Sequence, residues 1–272
     1  MGVSPIRGVS RLRPGDNIHM PTIARLSIAP LKSGALGHPS SIRLGPGGVD
    51  GDRQFVLIDD TGRRISATKL AYLLPVEPSF DEDSEHLSLR FADGSILAGS
   101  TQPRGGSLTI SLWDVEPTAT LIDPVFDEGL SERLRMEVRL VRVLHPSPGP
   151  RDVTLMAAAT ITDLAQRMAV APERLDPDRF RMTVILDDSP CWLEDEWEGK
   201  RVRVGEALVE VNRSVTRCLV TCWNPSTGQQ DLDTLTTLSS YRQLPDGKLA
   251  LGRYAQVLEA GAASVGDMVE LA

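Results

Sequence analysis

Two cysteines four residues apart, Cys218 and Cys222, are the side chains with the widest chemistry in this chain. A thiolate can act as nucleophile, redox partner or soft metal ligand. Cys218 directly follows Thr216-Arg217, and a neighbouring cation favours thiolate over thiol. Adjacent residues of a strand point to opposite faces, so Arg217 helps only where the strand ends or bulges. Residues 218 and 222 of one strand would share a face. That leaves open a redox pair, a persulfide relay, or a Cys222 that only packs. The spacing matches no zinc pattern, and four protein ligands are not in view. Cys191, beside Trp192 in a Pro-containing turn, reads as structural.

Other chemistry is thinly represented. Glu194, Asp195 and Glu196 precede Trp197; they read as solvated acids next to an aromatic plug at a barrel end. The four histidines, His19, His38, His86 and His145, are scattered through expected loops with no ligand spacing. Neither a dinucleotide-binding glycine motif nor a phosphate-binding P-loop occurs. The formal net charge of −8 argues against nucleic acid as a partner. Isolated basic residues still allow an anionic small ligand. Three cysteines form no disulfide framework, which suggests reduced thiols and a cytoplasmic setting. No stretch approaches the roughly 20 apolar residues of a membrane span, and no secretory leader is evident.

The elements that must position these residues are mostly strands. Ile23 to Ala29, Gln54 to Asp59, Leu87 to Phe91, Ser107 to Leu112 and Val138 to Leu144 are short apolar or alternating runs. Asp60-Thr61-Gly62 and Asp93-Gly94 read as hairpin turns. Further strands are expected over Arg181 to Leu186, Lys200 to Val204, Ala207 to Val211, Leu249 to Glu259 and Met268 to Leu271. One helix is marked by Ile161, Leu164, Ala165 and Met168, with Thr160 as N-cap. A weaker one is expected over Asp127 to Met136. Many strands and few helices predict a mainly β, β-barrel fold with helical insertions, a barrel plus an N-terminal β-barrel-like subdomain. The expected division is a flexible arm over 1–21, a smaller β unit over 22–115 and the main barrel over 116–272. Met20 directly precedes the first strand, so translation starting at Met1 or Met20 is left open.

An ordered series then stands out. From Leu175 the chain reads LDPDRFRMTVIL, then WLEDEWEGKRVRVGEALVEV, TRCLVTCWNPSTG, LSSYR, LGRYAQV and GAASVGDMVEL. This series resembles the MOSC domain, named after molybdenum-cofactor sulfurase. IARLSIAPLKSG and GGVDGDRQFVLIDDTGR resemble the β-barrel domain that precedes MOSC in the branch with the mitochondrial amidoxime-reducing component and its bacterial relatives.

The resemblance implies a molybdenum cofactor (molybdopterin), with Cys218 as the thiolate ligand to molybdenum. It implies cofactor binding by Lys32, Ser33, Arg53 and Arg181, with Arg217 beside the thiolate. Two departures mark the pattern. Thr183 stands where the family has asparagine and offers a single hydroxyl. Thr68 stands where an arginine is expected, with Lys69 one place on. The Asp-rich loop before the helix is shortened here, and Arg151, Asp152 and Thr154 are its candidates. The family's general description also includes pyridoxal phosphate binding.

Three functions follow as expectations. The first is a molybdenum-cofactor oxidoreductase acting on a small N-oxygenated or related oxo compound. No Cys-rich cluster motif is present, so its electrons would come from an external electron-transfer protein, ferredoxin-like or a flavoprotein. The second is a sulfur carrier holding a Cys218 persulfide. The third is a cofactor-binding module without turnover. Elemental analysis separates the first from the second; activity with an artificial donor separates the first from the third.

Overall fold

A computed structural model describes residues 20–65, 67–112, 116–145 and 152–272. The expectations for the 1–21 arm and for Arg151 therefore fall wholly or largely outside the described residues. The strands, in chain order, are β1 (Thr22–Leu26), β2 (Ser41–Gly45), β3 (Gly48–Val49), β4 (Phe55–Ile58), β5 (Glu77–Asp81), β6 (His86–Arg90), β7 (Ile96–Ser100), β8 (Ser107–Thr109) and β9 (Thr118–Leu121). Then come α1 (Pro124–Leu134), β10 (Arg139–His145), β11 (Val153–Ala157), α2 (Ala158–Arg167), β12 (Val184–Asp187), α3 (Leu193–Glu196), β13 (Arg201–Val204) and β14 (Ala207–Arg217). The chain closes with α4 (Thr234–Ser239), β15 (Leu249–Glu259), β16 (Gly261–Ser264) and β17 (Val269–Leu271).

The fold is mainly β. Seven strands form the principal sheet in the order β1-β12-β11-β15-β14-β13-β17. A bridge between Thr22 and Met268 brings its two ends together, so the sheet is nearly a closed barrel. Leu26, Val153, Leu155, Val184, Val209, Val211 and Val257 fill its interior, and Trp197 packs with them. The opposite face, with Met156, Ile185, Val215 and Leu251, lies under Leu164 of α2 and Leu238 of α4. β11 is therefore buried on both faces, which explains why its sequence VTLMA shows no sustained apolar–polar alternation. The same logic holds for β4: Phe55 and Leu57 face one core, Val56 and Ile58 another.

Strand pairing crosses residue 115 in both directions. β1 pairs with β12, β2 with β16, and β10 with β4. The chain laces its two halves together, so the N-terminal basic residues come to lie against the C-terminal barrel.

Local readings need two adjustments. The main helix begins at Ala158, which places Thr160 inside it, fully buried, instead of at its cap. The first helix begins at Pro124, with Asp123 as N-cap accepting from the Val125 N–H at 3.0 Å.

Candidate functional site

β14 ends at Arg217, and Cys218 is the extended residue that opens a single 3-10 turn over Leu219–Cys222. Cys218 is exposed and Cys222 is buried. The same-face expectation for the two thiols fails, because the strand stops one residue before Cys218 and the chain curls inward. Cys222 Sγ lies 3.4 Å from Thr234 Oγ1, which is also 2.6 Å from Thr221 Oγ1. Its carbonyl accepts from Asp231 and Leu232 N–H groups. Cys222 belongs to the packing. Cys191 is half-buried, and burial followed by the Asp163 charge pushes its thiol up to about 12.

Arg217 does not reach towards a ligand. Its Nε donates to the Leu251 carbonyl at 2.8 Å, and Nη1 donates to the Phe180 carbonyl at 2.7 Å. Nη2 contacts Met182 Sδ at 2.9 Å and also donates to Leu251 O. Burial brings its pKa down to about 10, a value at which it is still charged near neutrality. Gly252 makes this approach possible. A Cβ there would meet Met182 Cε at 2.7 Å and Arg217 Nη2 at 3.3 Å, with φ at +78°. The glycine of the expected LGRY strand thus has a steric reason.

Phe180 and Met182 flank Arg181, so Arg217 grips the turn that presents Arg181. That turn follows a short 3-10 helix, Pro177–Phe180. Asp178 of this helix pairs with Arg25 of β1 at 2.9 Å and with His38 at 3.0 Å. Buried Arg179 pairs with Asp231 at 2.7 Å, which ties the same helix to the loop after Cys222. The Arg181 guanidinium itself forms no hydrogen bond or ion pair with another described residue. Burial and the charge of Arg53 lower its pKa to about 10.

The N-terminal residues arrive on a zipped loop. Lys32 N–H donates to the Phe55 carbonyl, Arg53 N–H to Ala29 O, and Ala29 N–H to Asp52 Oδ1 at 2.7 Å. Arg53 also pairs with Asp52. Lys32 and Ser33 are both buried. The Lys32 amine is brought down to about 7, first by burial and then by the charges of Arg64, Arg53 and Arg181; Cys218 acts on it in the opposite sense. Lys32, Arg53, Arg181 and Cys218, widely separated in sequence, thus lie close enough for their charges to act on one another. Arg64 joins them, a residue that no motif marked; its signal was only a second basic residue after the Gly62 turn.

Three of the eight left-handed non-glycine residues among the described residues lie here. Ser33, Arg53 and Arg181 have φ of 74°, 51° and 51°. Each non-glycine residue held there costs on the order of 1–2 kcal/mol, and such costs concentrate at functional sites.

Other expectations resolve differently. Thr183 is buried; its N–H donates to Thr154 Oγ1 at 2.7 Å and the two hydroxyls are 3.1 Å apart. The pair clasps β11 to β12, so both hydroxyls are taken up within the fold. Asp152 Oδ2 accepts from Val257 N–H at 3.1 Å. Thr68 and Lys69 are exposed. The solvated reading of the acids is corrected by two of them. Glu194 is fully buried, accepting from Ala157 N–H and Thr160 Oγ1 at 3.3 Å, and burial pushes its carboxyl up to about 7. Asp195 receives Arg253 at 2.8 Å and Arg242 at 2.7 Å. Among the described residues no group of three His, Cys, Asp or Glu could hold a metal, so a bare ion has no cage. No helix among them is long and apolar enough to cross a membrane.

The donor set is one exposed soft sulfur beside an ammonium and three guanidinium groups, in a chain of net charge −8. It suits an anionic group that carries a thiophilic metal and a phosphate.

Residues 144–270 match the model of the MOSC domain. The chain is 29% identical over 255 residues to the molybdenum cofactor sulfurase of Drosophila grimshawi, covering 86% of this chain and 32% of that protein. It is 26% identical over 260 residues to that of Drosophila melanogaster, with 86% and 31% covered. The chain spans about a third of the length of these curated relatives. Among solved structures, the YuaD protein of Bacillus subtilis aligns with a TM-score of 0.47 and 12% identity, covering 93% of this chain and 96% of that one.

Proposed function

Because the chain carries a MOSC domain over residues 144–270, we propose that it binds the molybdenum cofactor in the cleft at Cys218 and serves as an oxidoreductase. The observation that carries this reading is the convergence of Lys32, Arg53, Arg64 and Arg181 on an exposed thiol. When bound, the cofactor supplies two-electron oxo-transfer chemistry. The chain's own residues do the rest. Cys218 offers a sulfur ligand from the end of a rigid strand. Lys32, Arg53 and Arg181 hold the anionic part through charge-assisted hydrogen bonds. Arg217 and Gly252 hold the Arg181 turn in place. The substrate is a small N-oxygenated or related oxo compound, and electrons come from a separate electron-transfer protein.

The test is molybdenum and pterin analysis of protein purified from a molybdate-fed, cofactor-producing host. Up to one molybdenum per chain is expected, lost in Cys218→Ser. Absence of both metal and pterin overturns the reading.

A sulfur-carrier reading is favoured by two observations, the exposure of Cys218 and the name of the curated relatives, molybdenum cofactor sulfurase. In that case Cys218 takes sulfur from a donor persulfide, whose own thiol leaves, and passes it to an acceptor. Mass spectrometry showing a persulfide on Cys218 in metal-free protein favours this reading over the first.

A further inference from the structure

β1 and β2 are joined by a loop, 27–40, that carries Lys32 and Ser33. A reciprocal pair of backbone bonds closes its neck. Ile28 N–H donates to Gly37 O at 3.0 Å, and Gly37 N–H donates to Ile28 O at 2.8 Å. Ser27 stands just before this neck and His38 just after it. The His38 ring spans the junction. Its Nδ1 lies 3.2 Å from Ser27 Oγ and 3.4 Å from the Leu26 carbonyl, and its Nε2 lies 3.0 Å from Asp178 Oδ2. Ser27 is buried, and its N–H donates to Thr183 O at 2.9 Å. The His38 side chain is 37% exposed, so protons from solvent reach it.

Asp178 lies on the 3-10 helix that precedes Arg181, and its carbonyl accepts the Arg181 N–H at 3.2 Å. Its other carboxylate oxygen accepts from Arg25 Nη1 at 2.9 Å. The charged groups bonded at this junction are therefore Asp178 from the helix and Arg25 from β1. Arg181 is close enough for the Asp178 charge to act on it.

Both states of the imidazole fit this geometry, with unequal strength. A neutral ring donates from Nε2 to Asp178 and accepts at Nδ1 from the Ser27 hydroxyl. A protonated ring donates from both nitrogens, to Asp178 and to Ser27 Oγ or Leu26 O. Protonation also turns the bond to Asp178 into an ion pair, whose attraction is screened at this exposure.

We propose that His38 is a proton-dependent positioning residue. It pins the neck of the 27–40 loop to the helix presenting Arg181, more firmly when its ring is protonated. The hold is full at low pH and weakens as pH rises through the range, about 5 to 8, in which histidine ordinarily changes charge. The inference rests on the cofactor reading for its consequence alone: a group held by both segments leaves faster on the alkaline side.

The test is hydrogen exchange on the full chain from a host that makes no cofactor, across about pH 5 to 8, each rate divided by the intrinsic rate at that pH. Peptides covering 27–40 and 176–183 are expected to exchange about two- to five-fold faster at the alkaline end, the effect of one solvent-screened ion pair. Peptides from β14 and β15 are expected to show no such step. His38→Gln and Asp178→Asn are expected to remove the step, and Arg25→Gln to keep it, because the His38–Asp178 pair remains. Equal corrected exchange of 27–40 at both ends of the range, or a step that persists in His38→Gln, overturns the pin. Ring-proton NMR titration of the wild type decides without any variant: a step whose midpoint departs from that of the His38 ring overturns it. The step in wild type, with no molybdenum in protein from a competent host, keeps the pin and removes the cofactor reading. Bound molybdenum without the step does the reverse.

Discussion

Arg217 Nη1 donates to the carbonyl of Phe180 at 2.7 Å, so the residue before Cys218 holds the residue before Arg181. The same guanidinium reaches Met182 on the far side of Arg181 and Leu251 on the neighbouring strand. Sulfur and guanidinium, 37 positions apart in the chain, are thereby set in one frame. Arg217 is a positioning residue: its donors are taken up by the fold and aimed at a turn that the cleft uses.

Arg217→Met is expected to destabilise the protein by about 2–4 kcal/mol, since two buried carbonyls lose a charged donor. Arg217→Lys recovers part of that stability and little of the anion affinity, because one ammonium cannot reproduce a planar fork. Thermal unfolding together with inorganic phosphate titration checks this. Phosphate affinity that stays at wild-type level in a folded Arg217→Lys variant removes the positioning role.

The two thiols of the 218–222 turn are expected to behave differently. Cys218→Ser abolishes metal retention or persulfide formation, whichever the protein has, with an unchanged circular dichroism spectrum. Cys222→Ser leaves activity in place and costs about 1 kcal/mol, the lower end for a buried hydroxyl, because Thr234 is close enough to accept it. Complete loss of activity in both, with native spectra, would make the thiols a functional pair.

Gly252→Ala tests the packing beneath the site. The added methyl meets Met182 and Arg217 in a backbone region that disfavours any side chain. A loss of about 2 kcal/mol or more is expected, accompanied by weaker phosphate binding. A loss of stability below about 0.5 kcal/mol would show that the Arg217 fork has slack.

Glu194 gives stability a pH dependence of definite sign. Its carboxyl titrates near 7 when folded, against an ordinary 4.5. Between these values the folded chain keeps a proton that the unfolded chain has released. Its contribution therefore falls as pH rises from about 4.5 to 7 and is level above. Urea unfolding across that window is expected to show a decline that is reduced in Glu194→Gln. An identical pH profile in the variant would contradict it.

Lys32 acts with the opposite sign at higher pH. Its amine titrates near 7 when folded, against 10.5 ordinarily, so the unfolded chain holds the extra proton between them. Its contribution to stability rises with pH across that window. Lys32→Met is expected to stabilise the fold below pH 7, with the gain fading toward pH 10.5, while phosphate affinity drops. A variant that is less stable than wild type at pH 6 would contradict this.

Residue order alone determined the β-rich class, the hairpin turns at Gly62 and Gly94, and the landmark series from Leu175 onward, and through that series it marked Cys218 as the candidate thiol. Those are local properties: alternation, turn chemistry and spacing within a dozen residues. Several strands escaped notice for physical reasons. β11 is buried on both faces and so shows no alternation, and β3 is two residues long. What only the tertiary structure decided is which side chains meet. Arg217 and Thr183, expected to bind a ligand, bond to Phe180, Leu251 and Thr154 instead. Glu194, expected in solvent, is buried in α3 against the start of α2. Arg64, unmarked by any motif, stands beside Lys32 because both lie on one edge of β4. Each outcome depends on pairings between segments far apart in the chain, and a one-residue change of register reverses which face a side chain takes.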